Sequence, residues 1–191
     1  MALPNPVHYT IYDGQGLPDL PSGKVYGYVL AGNGVFKYAA TQHFAACILV
    51  GRCRVAGLPL LAPSVRLAAG RLPGALLAAI LRDAREQARD APREAMYHIK
   101  MKRNTAMVQR PPQTGEAAHL AYSGGADADI VCDLHSHCQM RAFFSGTDDR
   151  DEQGCRLYGV VGQIFTRPEF VLRVGLYGDF WPVRIGDVFE V

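Results

Sequence analysis

The strongest periodic signal lies in ALLAAILRDAREQARD (75–90). Leu76, Leu77, Ile80, Leu81, Ala84 and Ala88 recur on one helical face, while Arg82, Asp83, Arg85, Glu86 and Arg89 fall elsewhere. Leu72-Pro73-Gly74 opens this helix and Ala91-Pro92 ends it. Upstream the period is two. KVYGYVLA (24–31) and VFKYAA (35–40) flank a turn, and Asn33-Gly34 predicts a hairpin with positive-φ residues there. TQHFAACILVGRCRV (41–55) reads as a strand, and Pro59 and Pro63 break regular structure after it. Residues 1–22, rich in Pro, Gly and Asp, predict an irregular arm. Residues 1–70 therefore form a small β-rich N-terminal extension, and 71–191 form the main domain.

Downstream, EAMYHIKMKR (94–103) predicts a strand that starts with a glutamate. QRPPQTGE (109–116) is a loop, AAHLAYS (117–123) a strand and SGGADAD a turn. DIVCDLH (129–135) is a buried strand with His135 at its end. SGTDDRDEQ begins a short helix. RLYGVVGQIF (156–165), EFVLRVGLY (169–177) and WPVRIGDVFEV (181–191) follow as strands. This order gives an α/β, or α+β layered, fold with a sheet packed on helices.

Length and composition narrow the class. A chain of 191 residues suits one domain with a modest extension. The net charge of +2 is spread without a Lys/Arg block, so no nucleic-acid surface is expected. No apolar run approaches the roughly 20 residues of a membrane span, and the N-terminus lacks the basic start and apolar stretch of a signal peptide. The five cysteines, Cys47, Cys53, Cys132, Cys138 and Cys155, form neither a CxxC pair nor a disulfide frame. A reducing, cytoplasmic setting is the expectation, with Cys47 and Cys132 as small core residues.

Candidate chemistry concentrates in LHSHCQMRAFFSGTDD (134–149). Residues i and i+2 of a strand share a face, so His135 and His137 can aim both rings at one point past the strand end. Two converging imidazoles suit zinc, and a catalytic zinc takes a third protein ligand, for which Asp148 is placed well. A lone HxH is often a surface pair, and Ser145-x-x-Asp148 also reads as an ordinary helix cap. Asp149, Asp151 and Glu152 fit a solvated helix start. Asp133 shares the face of His135 and is a candidate acceptor for a ligand histidine.

An upstream Glu, then HSH, seven residues, Ser, two residues and Asp resembles the JAMM (MPN+) metalloprotease pattern over about residues 72–180. Within that family, RAFFSGTDDRDEQG followed by RLYGVVG is most similar to the PRTRC system protein A group. The resemblance implies a JAMM/MPN-like mixed sheet with Zn2+ held by His135, His137 and Asp148. It implies Glu94 as general base and proton donor, and Ser145 at the oxyanion. Glu86 and Glu116 are rivals for Glu94. The chain departs from the family's HSHP at Cys138, read either as a loop substitution or as a fourth thiolate ligand. On the first reading Cys138→Pro is tolerated. His98 and His119 on strands, His8 and His43 outside the core, and Trp181 are given packing roles or none.

The resemblance implies cleavage after the tail of a ubiquitin-like protein, from a precursor or a conjugate, with an E1-like (ThiF-like) partner nearby. The competing readings are a non-catalytic MPN-like scaffold and a small-peptide amidohydrolase of a sulfur-carrier-type pathway.

Overall fold

The computed structural model describes residues 5–115, 120–122 and 127–191. The first seventy residues build a five-stranded sheet of β1 (Val7–Ile11), β2 (Tyr26–Ala31), β3 (Gly34–Ala40), β4 (Phe44–Arg52) and β5 (Ser64–Leu67), in that spatial order. The arm expected to be irregular contains β1, which pairs parallel with β2. The β2–β3 turn is Gly32-Asn33, one residue earlier than expected, because Ala31 already pairs with Gly34. Gly34 itself carries the positive φ.

α1 (Ala75–Gln87) follows the predicted amphipathic face and buries Leu77, Ile80 and Ala84. Then come β6 (Met96–Lys102), β7 (Thr105–Gln109), β8 (Gln113–Gly115), β9 (Leu120–Tyr122), β10 (Ile130–Ser136), α2 (Gly146–Asp151), β11 (Cys155–Gly162), β12 (Glu169–Leu176), β13 (Asp179–Val183) and α3 (Ile185–Val188). The six-stranded sheet has the order β13-β12-β11-β10-β6-β7. The rest of the expected strand 117–123, with His119, and the rival Glu116 lie outside the described residues. The last expected strand divides, since β13 stops at Val183 and α3 takes over.

Mixed sheets with a few helices are the layered α/β arrangement the pattern predicted. One buried cluster unites Leu77 and Ile80 of α1, Tyr97 and Ile99 of β6, Val131 and Leu134 of β10, and Leu172 and Val174 of β12. Phe44, Ala46 and Ile48 of β4 belong to the same cluster. The other face of the first sheet holds a smaller one of Val29, Ala31, Phe36, Tyr38 and Cys47.

One pairing positions the site. β10 and β11 run parallel, whereas β10–β6 and β11–β12 are antiparallel. Parallel neighbours cannot be joined by a tight hairpin, so the chain must cross over. That crossover starts at His137 and carries α2.

Candidate metal centre

β10 is buried along its whole length, so its alternation points are fixed by packing on both faces. His135 is in the strand and His137 is the first residue beyond it, and the two Nε2 atoms lie 3.0 Å apart. Asp148, in the first turn of α2, brings Oδ1 to 3.6 Å from His135 Nε2. One ligand atom from each of His135, His137 and Asp148 lies within 4.8 Å of the others. Both histidines are 5 % exposed. Burial holds them neutral, with His135 pushed down to about 4 and His137 also lowered, against the opposing pull of Asp148. His137 Nδ1 sits 3.3 Å from the Arg141 carbonyl. A proton on Nδ1 donates there, which leaves the Nε2 lone pair facing the cluster.

Asp148 divides its two oxygens. Oδ2 accepts from the Ser145 backbone N–H, and Ser145 Oγ in turn accepts from the Asp148 backbone N–H at 3.2 Å. Together they form a capping box, so the bland reading of Ser145-x-x-Asp148 holds. The box fixes the carboxylate while Oδ1 stays turned toward His135. It also occupies the acceptor side of the Ser145 hydroxyl and leaves its hydrogen to donate.

Glu94 lies two residues before β6, not at its first position as expected. It is 8 % exposed. Burial, and then the charge of Asp148, push its carboxyl up to about 7 from an ordinary 4.5. The histidine motif itself holds the flanking backbone. Ser136 Oγ accepts from the Ala95 N–H at 3.0 Å, and Ser136 N–H donates to the Ala95 carbonyl at 2.9 Å. On the other side the Cys138 thiol donates to the Arg93 carbonyl at 2.7 Å. The rival Glu86 lies on the polar side of α1.

Two expectations change here. Asp133 gives its oxygens to His98 Nδ1 and Arg156 Nη1, not to a ligand histidine. His98 is buried and bonded within the sheet, as a packing role requires. Cys138 has φ 48°, a left-handed backbone that proline's ring cannot adopt. The expected tolerance of Cys138→Pro is therefore reversed. The thiol is turned to Arg93 and is not among the clustered ligand atoms.

Sequence reasoning missed Ser136 and Gly162. A Cβ on Gly162 would stand 2.3 Å from Ala142 N and 2.5 Å from Met140 O, so glycine alone lets the loop after His137 lie on the end of β11. A glycine inside the predicted strand 156–165 was the available signal.

The donor set fits zinc. Tetrahedral zinc with N and O ligands at about 2.0–2.1 Å has ligand-to-ligand edges of roughly 3.3 Å. The 3.0 Å and 3.6 Å separations bracket that value. No curated protein sequence matches the chain. The family profile described as prokaryotic homologs of the JAB domain matches residues 74–174, from the start of α1 into β12 and across every residue of this cluster. The chain thus belongs to the family of prokaryotic homologs of the JAB domain.

Proposed function

We propose that the chain is a zinc-dependent peptidase or isopeptidase of the JAMM type, cleaving after the C-terminal tail of a ubiquitin-like protein. The observation that carries this reading is the convergence of His135, His137 and Asp148 at zinc spacing, with the buried, raised carboxyl of Glu94 beside them. Among the described residues no helix is long and apolar enough to cross a membrane. The reading extends to a cytoplasmic protein of the PRTRC system protein A group, with an E1-like partner supplying the ubiquitin-like substrate.

His135, His137 and Asp148 would hold the metal. Zinc, when bound, supplies Lewis acidity, lowering the pKa of water to about 7 and polarising a carbonyl. Glu94 takes the proton of the attacking water. Burial raises that carboxyl, which makes it a stronger base than a free glutamate. The same carboxyl returns the proton to the leaving amine. The Ser145 hydroxyl, its oxygen already engaged by Asp148 N–H, donates its hydrogen to the developing oxyanion. Ser136 and Cys138 hold Glu94 in place from both sides.

The test pairs metal analysis with a cleavage assay. The native chain should carry about one zinc, and His137→Ala almost none. A ubiquitin-like fusion should be cut at the tail. Glu94→Gln should keep its zinc and lose turnover by about 10²–10⁴-fold. Dipeptide hydrolysis without fusion cleavage would transfer the site to the small-peptide reading. No zinc and no cleavage would leave a scaffold.

A further inference from the structure

α2 spans six residues and buries no side chain. A helix that short has no stability of its own, because nucleation outweighs the few bonds it gains. Its capping box closes the first turn internally but does not fasten the helix to the sheet. The fastening comes from Arg173 on β12, which is 7 % exposed. Its Nε and Nη2 reach Glu152 Oε2 at 2.8 Å and 2.6 Å, and Nη1 reaches Asp149 Oδ1 at 2.5 Å. The guanidinium plane is covered by the rings of Phe144 at 3.9 Å and Phe180 at 3.8 Å. Phe144 precedes Ser145, Asp149 follows Asp148, and Glu152 caps the helix C-terminus, so one side chain grips the segment on both sides of Asp148.

Burial raises the Glu152 carboxyl and the guanidinium opposes it. The guanidinium prevails, since with a neutral Glu152 it would be buried with Asp149 as its one ion-pair partner among the described residues.

We propose that Arg173 is a positioning residue for the metal centre: it clamps α2 to the sheet so that Asp148 stays against His135 and His137. The proposal rests on the zinc reading above. Without the clamp the third ligand sits on a helix that buries no side chain of its own, and zinc must order that helix before it can use Asp148. Arginine is required because Nε and Nη1 hydrogen-bond two different carboxylates from one planar fork covered by two rings, which an ammonium does not reproduce.

The sign of the effect separates this role from simple electrostatics. The charge of Arg173 is felt at His135. Removing a cation from beside a dication site would tighten zinc by Coulomb attraction alone. Loss of a clamp weakens it. The Kd for zinc, measured by chelator competition, should rise about 10–100-fold in Arg173→Met, as for other residues that support ligands. Arg173→Lys, which keeps the charge, should fall between, and it serves where Arg173→Met does not fold. Amide hydrogen exchange over 146–152 in the metal-free chains should speed up in both variants while β10 keeps its protection. Unchanged exchange in α2 overturns the clamp whatever zinc does. Faster exchange with unchanged or tighter zinc overturns its link to the metal. A native chain that binds no zinc sinks the metal reading, and exchange alone then decides the clamp.

Discussion

A carboxyl that burial holds near 7 is a destabilising group at neutral pH, and Glu94 should show it. In the metal-free chain the folded state binds the Glu94 proton more tightly than the unfolded state does. Its contribution is therefore fully present below about 4.5 and lost as pH rises through about 7. Glu94→Gln removes that dependence. Without metal, the variant should match the native chain near pH 4.5 and exceed it by about 2 kcal/mol at pH 8. That figure is discounted from about 1.36 kcal/mol per pH unit because water still reaches the group. Urea unfolding of the two proteins at several pH values reads the difference, and a gap independent of pH would remove the basis for the raised carboxyl. Cys138 gives a second residue-scale prediction. At φ 48° proline is strained and the thiol bond to Arg93 is lost as well. Cys138→Pro should cost about 3 kcal/mol, while Cys138→Gly, free to keep the backbone, should cost about 1 kcal/mol. Thermal melting of both variants tests the order, and a proline variant as stable as the glycine one would contradict the left-handed assignment.

Elements bring these residues together, and the crossover from β10 to β11 is the critical one. Gly162→Ala would push a methyl into the backbone of Met140–Ala142. The neighbour is main chain, so the loop must move, at a cost of about 1–3 kcal/mol. His137 N–H donates to the Val161 carbonyl of β11, and the His137 carbonyl accepts from the Met140 N–H within that loop. Zinc affinity should therefore fall with stability, and a calorimetric titration showing native affinity would separate loop from ligand. The parts of this region legible in sequence were those with a strong local signature. HSH after an apolar strand, the Ser145–Asp148 cap and the amphipathic face of α1 each follow from spacing within a few residues. What was not legible depends on distant partners or on atypical turns. β7 hid because its hairpin turns on Arg103-Asn104, both at positive φ, rather than on an Asn-Gly pair. β1 hid because five residues gain strand character only by pairing with β2. Arg173 sits in an apolar strand where alternation gives no hint of the helix it grips, and the φ of Cys138 is set by the loop.

At the scale of the molecule, the division at residue 70 is one of sequence pattern, and the packing argues for a mutual dependence. β4 puts Phe44, Ala46 and Ile48 into the same buried cluster as Leu172 and Val174 of β12. Lys37 of β3, 2 % exposed, donates to the Tyr177 carbonyl at 2.9 Å and to Asp179 at 3.0 Å, with its ammonium 4.3 Å from the Tyr26 ring centre. Tyr177-Gly178 is the turn between β12 and β13, so the first sheet ties down the hairpin whose first strand bears Arg173. Removing residues 1–70 would uncover the cluster and delete these ties. Phe44 and Ile48 alone each represent about 1.5–3 kcal/mol of burial, against a total stability of about 5–15 kcal/mol for a domain of this kind. A chain of residues 71–191 should therefore lose cooperative unfolding and associate through the exposed face. Circular dichroism melting with size-exclusion chromatography reads both properties. A monomeric 71–191 chain that melts cooperatively and still binds zinc would show that the second sheet and its metal centre stand without the first. It would also free the N-terminal sheet for a role other than support.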